Sequence, residues 1–263
     1  TLMNVRLGHW FGWGGAADSL WSQSMRPILD ARELGSSARQ IALLVRGDEQ
    51  LACRYRRSFG AAPSPSDDEA VLVGVAKALA AFQETFESPP TPFDRFLNAL
   101  ARAERSTYPD AARRGLRTFI ANCSRCHSGP NFSNGEFHDN GFSSRGRADA
   151  GRIEGVKVLA ASRFNRDGAY NDSPEKNARP RPQAKPATFK VPTLRHLMLT
   201  APYGHHGEFE TIADVVRHYS EGGSAEVKPL KLTAAEQTDL VVFLESLSTL
   251  SNPWRPEDHA HCQ

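Results

Sequence analysis

The sequence predicts a mainly α-helical protein with little β structure. Three features predict it: apolar residues at helical spacing, side chains suited to capping the starts of those segments, and Pro- or Gly-rich breaks between them. A chain of 263 residues is long enough for one large domain or two modest ones, so length alone does not decide the number of domains.

The N-terminal segment is predicted to form short helices joined by ordered loops. One helical stretch is expected around residues 19–29. After a Pro- and Ser-rich break, Ser66 with Asp67 or Asp68 can cap a longer helix over residues 70–86. One face of that helix is expected to pack inward, and it carries Val71, Val75, Leu79 and Phe82.

The remaining chain is predicted to open with helices at 94–103 and 109–121 and to close with two capped helices. Residues 128–190 are rich in Gly, Pro, Asn, Arg and Ser, which predicts a long irregular excursion. Thr211 and Thr233 begin capping-box patterns, and the helix after Thr233 is of the amphipathic kind that packs on the opening helix. The inward face of the helix after Thr211 carries Ile212, Val215, Val216 and Tyr219.

The composition is that of an ordinary soluble globular protein. Apolar residues make up 40% and charged residues 24% of the chain, and a formal net charge of +2 gives no reason to expect a nucleic-acid partner. No apolar run approaches the roughly 18 residues of a spanning helix, so no membrane span is expected. The start at Thr1 lacks the pattern of a signal peptide, so the chain is expected to begin after processing or truncation.

A five-residue motif at Cys123, Cys126 and His127 predicts a covalently attached c-type haem. Two thiols three positions apart can bond both vinyl groups, and the adjacent imidazole can reach the iron. The alternative is a zinc site, but no second Cys pair completes one. Covalent haem attachment predicts a periplasmic location, where Cys53 and Cys262 could form a disulfide or stay as two thiols.

Five segments of the chain together carry a family resemblance. They are residues 10–20, 32–35, 123–130, 191–203 and 215–219, which read WFGWGGAADSL, RELG, CSRCHSGP, VPTLRHLMLTAPY and VVRHY. In combination they resemble the bacterial dihaem cytochrome c peroxidase and MauG family over nearly the whole chain. The resemblance implies two cytochrome c-like domains, each with a haem c.

The resemblance also implies a domain division. Residues 1–89 correspond to the N-terminal peroxidatic domain, whose haem attachment motif in the family precedes the tryptophan-rich segment and would therefore lie upstream of Thr1. Residues 90–263 correspond to the C-terminal domain, which carries its own haem motif and the 128–190 excursion.

The resemblance assigns roles in the peroxidatic domain by spacing. In the family a tryptophan between the haems is followed by a glutamine ten positions later and a glutamate twenty positions later, which are Trp13, Gln23 and Glu33 here. Glu33 would shuttle a proton between peroxide oxygens, Gln23 would hydrogen-bond the distal oxygens, and Trp13 would relay electrons. Pro27 matches a proline of the distal pocket.

Two further ligand sets follow from the resemblance. The sixth ligand of the second haem is methionine in peroxidases with small donor proteins and tyrosine in MauG-type enzymes; Tyr219 matches this position, with Met198 as its rival. A calcium ion between the domains would be held partly by the backbone carbonyls of Thr200 and Pro202.

The leading hypothesis is a periplasmic, MauG-like oxidase that uses hydrogen peroxide at one haem to oxidise a substrate, such as a protein side chain, through a second, Tyr-ligated haem. One alternative is a cytochrome c peroxidase that reduces peroxide with electrons from a small cytochrome or copper protein. An alternative of another class is a non-catalytic electron-transfer cytochrome.

Overall fold

The computed structural model describes residues 1–142, 151–172, 183–222 and 226–249. Within them lie nine α-helices and one two-stranded antiparallel sheet, which confirms the predicted mainly α-helical class. The helices are α1 (Leu20–Leu29), α2 (Ala38–Gly47), α3 (Glu49–Phe59), α4 (Asp68–Glu84), α5 (Pro92–Ala101), α6 (Asp110–Asn122), α7 (Gly151–Ala161), α8 (Ile212–Glu221) and α9 (Ala234–Glu245). The strands are β1 (Phe137–His138) and β2 (Phe189–Lys190).

The described residues form two compact units, each with its own apolar core. The N-terminal unit comprises residues 2–87 and 155–172, and the C-terminal unit comprises 88–142, 151–154, 183–222 and 226–249. The chain returns to the N-terminal unit within α7, after Glu154. The division therefore differs from a single cut between residues 89 and 90.

Polar and packing contacts explain why residues 155–172 belong to the N-terminal unit. The Lys77 ammonium lies 2.6 Å from the Asp172 carboxylate, and the Tyr170 hydroxyl donates a hydrogen bond of 2.7 Å to Glu69. Gly155 packs so closely on the Gly14 backbone that a Cβ atom would overlap it. These contacts join α7 and the segment after it to the first half of the chain.

The N-terminal unit is organised around α4, which packs against both α1 and α2. Asp67 caps α4 by accepting a hydrogen bond from the Ala70 N–H, as the sequence predicts. The predicted inward face of α4 is partly wrong, because Leu79 and Phe82 are 37% and 47% exposed. The buried residues of α4 are Val71, Leu72, Val73, Gly74, Ala76 and Ala80.

The C-terminal unit is built on the pair α6 and α9, with α5 and α8 beside them. Gly115 of α6 lies against the Asp239 carbonyl and the Phe243 side chain of α9, which allows the two helix backbones to approach closely. The three capping boxes at Thr91, Thr211 and Thr233 are all formed, so the capping predicted at the last two is confirmed. The core contains Phe93, Tyr108, Phe119, Phe132, Val216, Leu240, Phe243 and Leu247.

The predicted irregular excursion over 128–190 contains regular structure. It includes the helix α7 and both strands, which pair with Phe137 opposite Lys190 and His138 opposite Phe189. The expectation of a wholly irregular segment is therefore wrong for the part of it that is described. Among the described residues no helix has the length and apolar character needed to cross a membrane.

Candidate functional site

The Cys-X-X-Cys-His motif lies at the C-terminal end of α6. The Cys123 N–H donates to the Phe119 carbonyl at 2.8 Å and ends the helix. The Cys123 carbonyl then accepts from the N–H groups of Cys126 at 3.2 Å and His127 at 2.9 Å. This tight turn brings the two thiols and the imidazole together in space, as covalent attachment of one porphyrin requires.

The imidazole of His127 is oriented by a backbone carbonyl. Its Nδ1 lies 2.9 Å from the Phe132 carbonyl oxygen, so Nδ1–H donates and the Nε2 lone pair is left for a metal. Burial lowers the pKa of His127, with the Phe132 and Pro192 carbonyls opposing this effect. A neutral imidazole with one ring nitrogen held in this way is the form that ligates haem iron.

The two motif cysteines are free thiols with different surroundings. Burial raises the pKa of Cys123 to about 12 and also raises the pKa of Cys126. Zinc binding requires thiolates, and no group of three or more His, Cys, Asp or Glu side chains in the described ranges is placed to hold a metal ion. The geometry therefore suits thioether formation better than a zinc centre.

Tyr219 lies beside the same motif. Burial raises the pKa of its hydroxyl to about 12; a hydrogen bond of 3.4 Å donated by the Asn140 amide lowers it, and the Cys123 and Cys126 thiols raise it further. Its ring also packs 5.5 Å from that of Phe142. By contrast Met198, the rival ligand, has a side chain that is 48% exposed.

In the N-terminal unit, Gln23 and Pro27 lie within α1, and Glu33 lies in the turn that follows it. Because Pro27 has no N–H, the Gln23 carbonyl lacks its usual helical donor. The Gln23 Oε1 atom is itself buried and accepts no hydrogen bond within the described structure. The Pro27 carbonyl instead accepts from the Leu34 N–H at 3.1 Å, which folds the turn containing the exposed Glu33 back onto α1.

Trp13 projects from a short loop of the N-terminal unit. Phe11 and Ala17 pair through backbone hydrogen bonds of 2.8 and 3.3 Å, and the loop between them turns at Gly12 and Gly15, which both have positive φ. The Trp13 side chain is 62% exposed, whereas Trp10 is buried. An indole at a loop tip can contact a neighbouring group, as an electron relay requires.

The predicted site residues therefore fall into three groups. Cys123, Cys126, His127 and Tyr219 lie close together in the C-terminal unit. In the N-terminal unit, Gln23 and Pro27 belong to α1, Glu33 follows it, and Trp13 is on its own loop. Thr200 and Pro202 lie in an exposed turn with a cis bond before Pro202. Their part in a calcium site stays a prediction. Cys53 is disulfide-bonded, and Cys262, its possible partner, lies outside the described residues.

Sequence reasoning missed several groups around the motif. The Phe132 carbonyl orients His127, and Asn140 reaches Tyr219 from the segment after β1. The buried Arg152 and the Lys190 side chain lie along the β1–β2 pair. A backbone carbonyl carries no side-chain signal, and the others reach the site only through tertiary folding, so no local motif marked them.

The residues present fit haem c. Two thiols and an imidazole held through Nδ1 stand at one turn, and a tyrosine hydroxyl lies near both thiols. The two thiols can supply two thioether bonds, and the imidazole can supply a ligand to the iron. In the N-terminal unit, the buried and unsatisfied Gln23 Oε1 marks a polar position that a further group could complete.

Comparison with known sequences supports the resemblance. The profile of the family described as di-haem cytochrome c peroxidase matches residues 1–102. The methylamine utilization protein MauG of Methylorubrum extorquens is 32% identical over 254 residues, which cover 94% of this chain and 63% of that protein. The cytochrome c551 peroxidase of Nitrosomonas europaea is 28% identical, with 94% of this chain and 64% of that protein covered. The chain thus spans a little under two thirds of the length of these two relatives.

Comparison with solved structures supports the fold. A MauG-like protein associated with microbial copper homeostasis superposes with a TM-score of 0.68 at 21% identity, covering 97% of this chain and 78% of that one. The diheme peroxidase BthA from Burkholderia thailandensis superposes with a TM-score of 0.67 at 19% identity, covering 92% of this chain and 66% of that one. The predicted family resemblance and cytochrome c-like helical fold are confirmed.

Proposed function

We propose that this chain, which is homologous to the dihaem cytochrome c peroxidase and MauG family, forms part of a periplasmic oxidoreductase that uses hydrogen peroxide to oxidise a substrate. The observation that carries the proposal is a buried Tyr219 hydroxyl close enough to the His127 motif for both of its thiols to raise the pKa of Tyr219. We infer that the substrate is a protein side chain, oxidised through the C-terminal haem in the MauG manner.

In the C-terminal unit, Cys123 and Cys126 would hold the porphyrin, and His127 and Tyr219 would hold its iron. Haem c, when bound, supplies the redox-active iron. The Phe132 carbonyl fixes the tautomer of His127, since its acceptor oxygen lies 2.9 Å from Nδ1. A phenolate from Tyr219 favours ferric iron, which suits storage of oxidising equivalents better than simple electron uptake.

In the N-terminal unit, Glu33 would transfer the proton from one peroxide oxygen to the other. The Gln23 amide would hydrogen-bond the distal oxygen, and Pro27 would keep the helix open beside it. Trp13 would pass electrons toward this site from the second haem. The calcium ion at the Thr200 and Pro202 carbonyls also belongs to the proposal.

The runner-up function is a cytochrome c peroxidase whose electrons come from a small cytochrome or copper protein. Relatives named cytochrome c peroxidase match this chain at 26–28% identity over most of its length, which favours considering it. That function predicts methionine ligation, whereas the Met198 side chain is 48% exposed. Tyr219 therefore favours the MauG-like proposal.

The first experiment measures covalent haem. A pyridine haemochrome assay on the purified 263-residue chain is expected to give one haem, and Cys123→Ala with Cys126→Ala is expected to give none. Ser124→Ala is the matched control, because Ser124 lies between the two cysteines and its hydroxyl donates to the Ile120 carbonyl at 2.7 Å, so the variant should keep the haem. A haem-free wild-type chain matured with a cytochrome c assembly system would refute the proposed cofactor site.

The second experiment tests the axial ligand. We expect Tyr219→Phe to remove the phenolate signature from the ferric electron paramagnetic resonance and optical spectra, and Tyr219→Met to raise the reduction potential of the same haem. Tyr203→Phe is the control, since its hydroxyl donates to the Leu197 carbonyl at 2.7 Å instead. Wild-type spectra in Tyr219→Phe would exclude Tyr219 as a ligand.

The third experiment separates catalysis from electron transfer. In the protein that includes the N-terminal region, Glu33→Gln is expected to lower peroxide-driven turnover by roughly 10²–10⁴-fold, the usual contribution of a general acid–base group. Glu49→Gln on α3 is the exposed control. Unchanged turnover in Glu33→Gln would remove Glu33 from the mechanism, and no peroxide reactivity in the wild type would favour an electron-transfer cytochrome.

A further inference from the structure

One face of the β1–β2 pair carries two cationic side chains, one fully buried and one half-buried. Arg152 of α7 is fully buried, and its guanidinium carbon lies 3.9 Å from the centroid of the Phe137 ring. Lys190 stands directly opposite Phe137 in the antiparallel register, so its side chain leaves the pair on the same face as the Phe137 ring. The two cations therefore flank one aromatic side chain.

Lys190 has no anionic partner in the described part of the chain. Burial lowers its pKa, and no neighbouring charge contributes to that shift. The nearby Glu226 carboxylate is engaged with His138, which points to the opposite face of β1. Even partial burial of an ammonium group is costly unless an anion or other acceptor receives its hydrogen bonds, so an anion would stabilise Lys190 at this position.

The β1–β2 pair is joined to the haem motif at both of its ends. On one side the Val191 N–H donates to the Glu136 carbonyl at 2.9 Å, and the Ser133 hydroxyl donates to the Val191 carbonyl at 2.7 Å, which ties β2 to the loop after His127. On the other side Asn140, two residues after β1, donates to the Tyr219 hydroxyl. The pair thus runs from the loop that orients one proposed axial ligand to the residue that contacts the other.

We propose that Lys190, supported by Arg152, binds the propionate carboxylates of the haem attached at Cys123 and Cys126. The inference rests on the haem site of the proposed function and adds the side chains that would bind the propionates of that haem. The propionates are the only ionised groups on the periphery of haem c, and they supply the negative charge that the Lys190 ammonium lacks. Each carboxylate would accept hydrogen bonds from these cations in a site with little water.

This arrangement has an electrostatic consequence for the haem. A cation held against a propionate would stabilise the added electron of the reduced iron, and partial exclusion of water strengthens the effect. Removing the charge at Lys190 should therefore lower the reduction potential. Lys190 acts here as a positioning and charge-balancing residue, since the proposal gives it no contact with iron or peroxide.

The test compares Lys190→Gln, Lys190→Arg and Lys185→Gln, each as the haem-loaded chain. Lys185 is the matched control, because it lies five residues earlier and its side chain is exposed. We expect full covalent haem in all three, a lower midpoint potential and a shifted propionate-bending Raman band in Lys190→Gln, wild-type behaviour in Lys185→Gln, and recovery in Lys190→Arg. If Lys190→Gln accumulates poorly, Lys190→Met, which keeps most of the apolar stem, replaces it.

The outcomes separate the two proposals. A wild-type potential and propionate band in fully haem-loaded Lys190→Gln would overturn the role of Lys190 and leave the haem site intact. Absence of covalent haem from the wild-type chain would instead overturn the proposed function at the first assay. An equal change in Lys190→Gln and Lys185→Gln would show a general surface-charge effect and would also overturn the specific contact.

Discussion

Asp94 connects the start of α5 to the loop that follows the haem motif. Its carboxylate accepts from the Thr91 N–H at 2.9 Å and from both terminal nitrogens of Arg195 at 2.8 and 2.9 Å. Arg195 also donates to the Pro130 carbonyl, three residues after His127. Burial raises the pKa of Asp94, but the Arg195 and Thr91 hydrogen bonds outweigh it and lower the pKa from 3.8 to about 2.

This shift gives Asp94 a pH-dependent contribution to stability. Because the folded-state pKa is below the unfolded value, the contribution is present above pH 3.8 and is lost as the pH falls toward about 2. Asp94→Asn is expected to lower the free energy of unfolding by about 2 kcal/mol at pH 7 and to match the wild type near pH 2. Urea unfolding at both pH values measures this.

Asp214 provides the matched control for Asp94. It closes the same type of capping box with Thr211 on α8, but its ion pair with Arg217 is more exposed. Asp214→Asn should therefore change the free energy of unfolding less than Asp94→Asn does. A loss at pH 7 that is equal in both variants would show that the buried Arg195 pair adds nothing beyond the cap.

At the residue scale, the sequence predicted the groups that act through contiguous or regularly spaced positions. Cys123, Cys126 and His127 must be close in the chain to bind one porphyrin. The inward orientation of Tyr219 was predicted from its position on a capped helix, whereas its role as a ligand was implied by the family resemblance. The proposed role of Lys190 and Arg152 could not be predicted, because it depends on their position beside Phe137, which the tertiary fold alone creates.

The contact between α6 and α9 is the element on which the C-terminal unit depends. At Gly115 a Cβ atom would overlap the Asp239 carbonyl of the facing helix, which is backbone and cannot turn aside. Gly115→Ala is therefore expected to lower the free energy of unfolding by about 3 kcal/mol, at the upper end of overpacking costs. Thermal and urea unfolding, together with haem retention, would measure the change.

A second glycine-to-alanine substitution controls for helix propensity. Gly47 is the last residue of α2, and nothing lies within 4 Å of a Cβ placed there. Gly47→Ala should stabilise the protein by up to about 1 kcal/mol, because it reduces the freedom of the unfolded chain without a clash. If Gly115→Ala were as benign as Gly47→Ala, close packing of α6 on α9 would not limit stability.

At the element scale, helices with clear caps were predictable and the inward face of α4 was not. The segment is apolar nearly all round, so periodicity alone could not choose among its faces. Contact with both α1 and α2 determines which face of α4 is buried. It buries Leu72, Val73 and Ala76 and leaves Phe82 exposed. The helix α7 was not predicted, because the Gly- and Pro-rich sequence around it indicated loops.

At the scale of the whole molecule, the described chain contains separate apolar cores. One cluster in the N-terminal unit joins Met25 and Ile28 of α1 to Leu72 of α4, and the C-terminal cluster centres on aromatic residues including Phe119 and Phe243. No residue is shared between these clusters. The two-domain prediction rested on family resemblance, whereas the return of residues 155–172 to the N-terminal unit had no local signal.

Separate cores predict that local stability responds to substitution unit by unit. Leu72→Ala and Phe243→Ala each truncate a side chain that is 1% or 0% exposed, so each should cost about 3 kcal/mol in its own unit. Hydrogen exchange followed by mass spectrometry should show Leu72→Ala weakening protection in α1 and α4, and Phe243→Ala weakening it in α6 and α9. Since the haem motif ends α6, Phe243→Ala should also perturb the haem spectrum, whereas Leu72→Ala should not. Loss of protection in all four helices with either variant would mean that the cores unfold as one cooperative unit, and the peroxide chemistry proposed for α1 would then depend on the stability of the C-terminal core.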